Sequence, residues 1–120
     1  MPELPGVTVA YFYLVRWGFH QEWWELFTRN HCPILRAQME SGRILDIRAH
    51  GPRFHGDGRA NWTYLVMITY RDWAALEAHS EKEIAERLFP DRDRHDAEER
   101  RRFELLEAHW DVPLEERPLA

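Results

Sequence analysis

The chain has 120 residues, 44% of them hydrophobic and 13% aromatic, with a formal net charge of -5 and a pI near 5.8. That length fits one domain with a sizeable core, and the acidic balance excludes the basic field of a typical nucleic-acid binder. A single cysteine, Cys32, excludes an intrachain disulfide. Together with an N-terminus that lacks a basic, apolar leader pattern, it points to a cytoplasmic setting. No apolar run reaches the roughly 20 residues needed to cross a bilayer. Fifteen arginines against one lysine match the codon usage of GC-rich bacterial genomes.

In chain order, residues 7–17 (VTVAYFYLVRW) are β-branched and aromatic and predict a strand. Both of its alternating faces are apolar, so both require cover. From His20 to Ser41, Trp23, Leu26, Phe27, Ile34, Leu35 and Met39 recur at helical spacing. Pro33 lacks an N–H, so the helix kinks there or a new turn begins, and Gly42 is the stop. Residues 43–50 (RILDIRAH) alternate: Leu45, Ile47 and Ala49 on one face, Ile44, Asp46, Arg48 and His50 on the other. After a Gly-rich loop, residues 61–70 (NWTYLVMITY) predict a second strand apolar on both sides, paired with residues 43–50 as an antiparallel hairpin.

Residues 71–89 predict a helix capped by Asp72, with Trp73, Leu76, Ile84 and Leu88 as its apolar positions. Residues 91–102 read as a charged, solvated insertion. A last helix over roughly 96–109 places Phe103, Leu106 and Trp110 on one stripe, and the proline-containing tail 110–120 is extended, in the manner of a short edge strand. The order β-α-β-β-α-β predicts an α+β fold of ferredoxin-like arrangement, an antiparallel sheet with helices on one face. The two-faced strands then require a cover for the other face, most simply the sheet of a second copy in a homodimer.

These features resemble the dimeric α/β-barrel superfamily, in which two ferredoxin-like protomers close a shared barrel. Within it, NHCPIL (Asn30 to Leu35) is similar to the His-x-Pro turn of EthD-like and antibiotic-monooxygenase-like members, carried here by His31 and Pro33. The resemblance implies a protein that binds a small organic ligand. Monooxygenases and isomerases that need no cofactor are among its activities, and haem enzymes form another branch. In that branch a helix histidine ligates iron with an asparagine on the first strand. His79 offers the histidine, but the first asparagine here is Asn30, beyond that strand, so no cofactor is expected.

The candidate site follows from the alternation of residues 43–50. If Leu45, Ile47 and Ala49 lie under the helices, then Asp46, Arg48 and His50 point into the space between two sheets. Tyr11, Tyr13, Trp17, Trp62 and Tyr64 are assigned to the same space as a ligand wall, with His31 or His50 as base and Arg48 steadying an anion. The competing reading makes the aromatics a solid dimer core, Asp46–Arg48 a structural ion pair at the interface, and His31 the cap of a helix kink. His50, His55 and Asp57 supply too few ligands for a metal site, and nothing marks Cys32 as an activated nucleophile.

Overall fold

The computed structural model describes residues 6–53, 61–78 and 81–119. Strand β1 (Val7–Val15) leads to helix α1 (His20–Leu26), a π-helical turn (Phe27–His31) and α2 (Cys32–Glu40). Strands β2 (Ile44–His50) and β3 (Tyr64–Tyr70) follow, then α3 (Trp73–Glu77), α4 (Glu81–Leu88), α5 (Arg92–Glu104) and β4 (Leu106–Leu114). The strands form one antiparallel sheet in the order β2-β3-β1-β4. This is the ferredoxin-like α+β arrangement.

The core lies between the sheet and α1–α2. Val9 and Val15 of β1, Val66, Ile68 and Tyr70 of β3, and Ile44 of β2 meet Trp23, Leu26, Phe27 and Leu35 there. Trp23 is fully buried and stacks on Phe27 and Tyr64, with ring centroids 5.0 and 5.2 Å away. Burial of such aromatic area is strongly stabilising.

Pro33 produces a π turn rather than a simple kink. The N–H of Cys32 bonds back five residues to the carbonyl of Phe27, and Pro33 opens α2, where a missing N–H costs nothing. Gly42 ends α2 with φ +81, a conformation that suits glycine.

Several expected boundaries shift. Strand β1 ends at Val15 and β3 starts at Tyr64. A bulge between Ile44 and Asp46 reverses the expected inward residue at the start of β2: Ile44 is buried and Leu45 is 43% exposed. Ile47 and Ala49 pair with Ile68 and Val66 and face the helices as expected. Asp72 does cap its helix, accepting from the N–H of Ala75 at 2.7 Å. That helix stops at Glu77, because Ala78 is extended, and α4 is separate. Small residues, Ala75 and Ala85, take the buried positions of α3 and α4, while Trp73 and Leu88 are exposed.

The largest correction concerns the C-terminal third. Residues 92–104 are one helix, and it is docked rather than solvated: His95 and Arg102 are buried. Glu22–Arg101 (2.7 Å) ties α5 to α1, and Arg29–Glu98 ties it to the π turn. Leu106 and Trp110, expected on a helix, belong to β4, a nine-residue edge strand rather than a short one. Pro113 is tolerated there because an edge leaves one side of the strand unpaired.

Candidate functional site

The two sides of the sheet divide the expected site residues. On the open side, Asp46, Arg48 and His50 pair across to Thr69, Met67 and Leu65, and all three lie away from the helices. Arg48 Nε and Asp46 Oδ2 are 2.8 Å apart in a well-exposed pair, an arrangement that contributes little to stability. On the same side, Phe12 stacks on Trp110 at 5.4 Å and meets Trp62 edge-on at 5.8 Å. Trp17 belongs to neither side: it is 81% exposed in the turn before α1.

Tyr11, Tyr13 and Tyr64 occupy the opposite side, under the helices, and so are not a common wall with Asp46, Arg48 and His50. The register decides this, since Tyr11 and Tyr13 pair with Val66 and Tyr64 of β3, which belong to the inner layer. Tyr64 stacks on Trp23 and bonds the His20 carbonyl, so it is a core residue. Tyr11 and Tyr13 instead border a cavity of about 620 Å³ between the sheet, the π turn, α4 and α5. His31 lines the same cavity. Of the residues expected to form one site, the structure brings together His31, Tyr11 and Tyr13. His55 and Asp57 of the loop, and His79, lie outside the described residues.

The π turn explains how Asn30 and His31 come to the cavity together. Asn30, 1% exposed, donates from Nδ2 to the His95 carbonyl at 3.0 Å. His95 Nε2 lies 3.3 Å from the Asn30 carbonyl. This reciprocal pair clamps α5 over the sheet and closes one wall. The carbonyl only accepts, so His95 carries its proton on Nε2. From β4, His109 and Asp111 complete the lining, because they pair with Tyr13 and Tyr11.

The electrostatics follow from burial. The His31 imidazole is pushed down to about 3, first by loss of water and then by the neighbouring Arg102 and His95, so it is neutral at physiological pH. Burial pushes the Tyr13 hydroxyl up to about 12, and the Tyr11 hydroxyl is raised further by burial and its 2.8 Å bond to Tyr70. Both phenols are therefore proton donors. Arg102 is 5% exposed, and burial lowers its pKa, yet a guanidinium keeps its charge. Its carbon lies 4.8 Å from the Phe103 ring centroid, and among the described residues it forms no ion pair with a carboxylate.

Three residues of the cavity lining each carry a fully buried side-chain atom without a protein hydrogen-bond partner, Asn30 Oδ1, His95 Nδ1 and Arg102 Nε, with His95 Nδ1 3.8 Å from the Asp96 carboxylate. Each such atom costs about 1–3 kcal/mol when left unmatched. A fourth, Trp23 Nε1, lies in the core. A cation is a poorer match than an organic ligand. His95, Asp96 and Glu99 do bring three ligating atoms within 4.8 Å of one another. Asp96, however, already pairs with Arg92 at 3.6 Å, and the buried charge of Arg102 on the same wall repels a metal ion. Cys32 is half-buried and burial raises its pKa, the opposite of an activated thiol.

Arg102, His95 and Asn30 were not among the expected site residues. The signal that carries His95 and Arg102 is the spacing His95–Glu99–Arg102, one face of a helix; Asn30 has no such signal.

Comparison with known proteins places the fold. No family model and no curated protein matches the chain. A Pseudomonas aeruginosa protein of known crystal structure is similar over 98% of this chain and 100% of its own, with 19% identity and a TM-score of 0.62. A NIPSNAP family protein from Agrobacterium tumefaciens is similar over 100% of this chain and 93% of its own, with 16% identity and a TM-score of 0.57. A dimeric ferredoxin-like protein from an uncultured marine organism is similar over 98% and 95%, with 6% identity and a TM-score of 0.61. At these identities the likeness is one of fold. Among the described residues no helix is long and apolar enough to cross a membrane.

Proposed function

We propose that the protein is a homodimer that binds a small organic molecule, with an aromatic or apolar body, in the cavity between the sheet and α5 of each protomer. The observation that carries this reading is the cavity itself: about 620 Å³, within the range of small-molecule sites, lined by Tyr11, Tyr13 and His31. The open sheet face supports the dimer. Phe12, Trp62 and Trp110 form an aromatic ladder there with exposed Val112 and Leu114 beside it, a patch that a second sheet would cover. A structural neighbour described as a dimeric ferredoxin-like protein supports the same reading.

The chemistry this cavity suits is proton transfer, as in an isomerase or a monooxygenase that uses no cofactor, the activities implied by the EthD-like resemblance. His31 is an unprotonated imidazole held beside a fixed positive charge. Alone it is a weak base. A bound anion beside Arg102 offsets the repulsion and raises the basicity of His31 toward the ordinary range when substrate is in place. Tyr11 and Tyr13 supply hydroxyl donors for developing negative charge.

A purely structural dimer module is favoured by one observation, the aromatic ladder of the open face. It leaves the cavity without a role. A thermal-melt screen of the untagged protein against aromatic acids and phenols separates the two. Ligand-dependent stabilisation that disappears in Tyr13→Ala supports the cavity. Silence across the library sinks it in favour of the structural module.

A further inference from the structure

We infer that the ligand enters this cavity tail first, seating a short alkyl group of about two carbons in an inner recess while its polar end stays in the charged outer space. This rests on the reading of the cavity as a small-molecule site and names what that site selects, the length of the ligand's apolar end.

The recess is a second, smaller space of about 50 Å³. Tyr11, Tyr13, His31 and Glu81 line both spaces, so the recess adjoins the larger cavity and these residues stand at the junction. Its other walls are Phe27, Leu35, Val66, Ile68 and Tyr70, each at most 5% exposed and each part of the hydrophobic core. They come from the π turn, α2 and β3, so the recess runs from the cavity into the layer between helices and sheet. The Tyr11 and Tyr70 hydroxyls bond each other at 2.8 Å, so each of these phenols already has a partner inside the protein. The larger cavity has a different character: Lys82, Arg92, Asp96, Glu99, Arg102 and Asp111 all contribute to its lining.

That contrast orients a ligand. An alkyl group gains by leaving water for walls of Phe27, Leu35, Val66 and Ile68, and gains little among charges. A polar group loses least where other polar groups and water reach it, in the outer cavity. Size then limits the alkyl group. An apolar cavity of about 150 Å³ holds benzene, about 25 Å³ per carbon, so a recess of about 50 Å³ holds about two carbons and no ring. An aromatic body therefore stops at the junction, beside Tyr11, Tyr13 and His31. A longer chain meets Leu35, Val66 and Ile68, which are packed in the core and yield only at a cost. These three are the specificity-determining residues.

The test is calorimetric titration, with parallel thermal melts, of the full, untagged protein. The probes are phenol and its para-methyl, para-ethyl, para-propyl and para-butyl derivatives, with para-(hydroxymethyl)phenol as the polar counterpart of para-ethylphenol. Each carbon that fits is expected to tighten binding about fourfold, as far as ethyl. The propyl and butyl compounds are expected to bind no more tightly than the ethyl compound, and the hydroxymethyl compound about tenfold more weakly. Ile68→Val removes one carbon from the wall and is expected to move the optimum to propyl. Affinity that rises steadily through butyl is nonspecific partitioning and overturns the assignment, as does affinity indifferent to the chain or equal for hydroxymethyl and ethyl; each leaves the cavity as a binding site. Absence of binding by the whole series, alongside hits from the wider screen, also overturns it. Absence of binding by any small molecule removes the underlying reading as well. If Ile68→Val fails to fold, the dependence on chain length in the unaltered protein decides the question alone.

Discussion

The environment of His31 predicts a specific acid sensitivity. In the unfolded chain its imidazole titrates at about 6.5, whereas in the fold it is pushed down to about 3. Between those two values the unfolded state binds a proton that the folded state refuses. Stability due to this residue is therefore intact above pH 6.5, falls as the pH drops below it, and stops falling once the pH is below 3. At pH 5 the unfolded imidazole has gained about 1.5 pH units of protonation free energy, which at about 1.4 kcal/mol per unit is about 2 kcal/mol. Urea unfolding of the unaltered protein and of His31→Gln, at pH 7.5 and pH 5.0 and at one protein concentration, isolates the effect. The other six histidines are present in both proteins, so the comparison singles out His31. The unaltered protein is expected to lose about 2 kcal/mol more than the variant over this interval. Equal losses would mean that His31 is hydrated and charged in the fold, and would refute the electrostatic account of the cavity.

Four further outcomes follow from the packing. Trp23→Ala should lower stability by about 3–5 kcal/mol in denaturant titration, because a fully buried indole stacked on Phe27 and Tyr64 leaves a void. Asp72→Ala should cost about 1 kcal/mol by the same measurement, through loss of the cap to Ala75. Phe12→Glu places a charge in the aromatic ladder and should convert the proposed dimer to monomer in sedimentation velocity. An unchanged sedimentation coefficient would remove the sheet face as the interface. Arg48→Ala removes only an exposed pair on the other side of the sheet from the cavity, so stability should change by less than about 1 kcal/mol and ligand affinity should not change.

Much of the fold is legible in the sequence because period and chemistry agree there. The inward set Trp23, Leu26, Phe27, Ile34 and Leu35, the alternation of β2 and the Asp72 cap are each recognisable from local pattern. Strand β4 is obscured for a physical reason. Leu106 and Trp110 are four apart, a spacing that fits a helix and a strand alike, and the inward residues His109 and Asp111 are polar because they line a cavity rather than the core. The burial of His95 and Arg102 runs against the rule that charged stretches are solvated, and it depends on a clamp to Asn30 from 65 residues away. The face of β1 was open to either assignment, since Tyr11 and Tyr13 on one side and Phe12 and Leu14 on the other are equally fit for burial. Pairing of Tyr11 and Tyr13 with Val66 and Tyr64 decides it, and pairing is a non-local fact. The candidate site divides for the same reason: the alternation of β2 correctly turns Asp46, Arg48 and His50 from the helices, whereas the tyrosines turn toward them.

The central claim is that a small molecule binds on the helix side of the sheet. Amide chemical-shift mapping of the isotopically labelled protein, titrated with a hit from the melt screen, tests it most directly. The account predicts that the shifted resonances cluster at Tyr11, Tyr13, Asn30, His31, His95 and Arg102, the residues of the cavity. Shifts confined to Phe12, Asp46, Arg48, His50 and Trp62 would place the ligand on the open face between two sheets and contradict it.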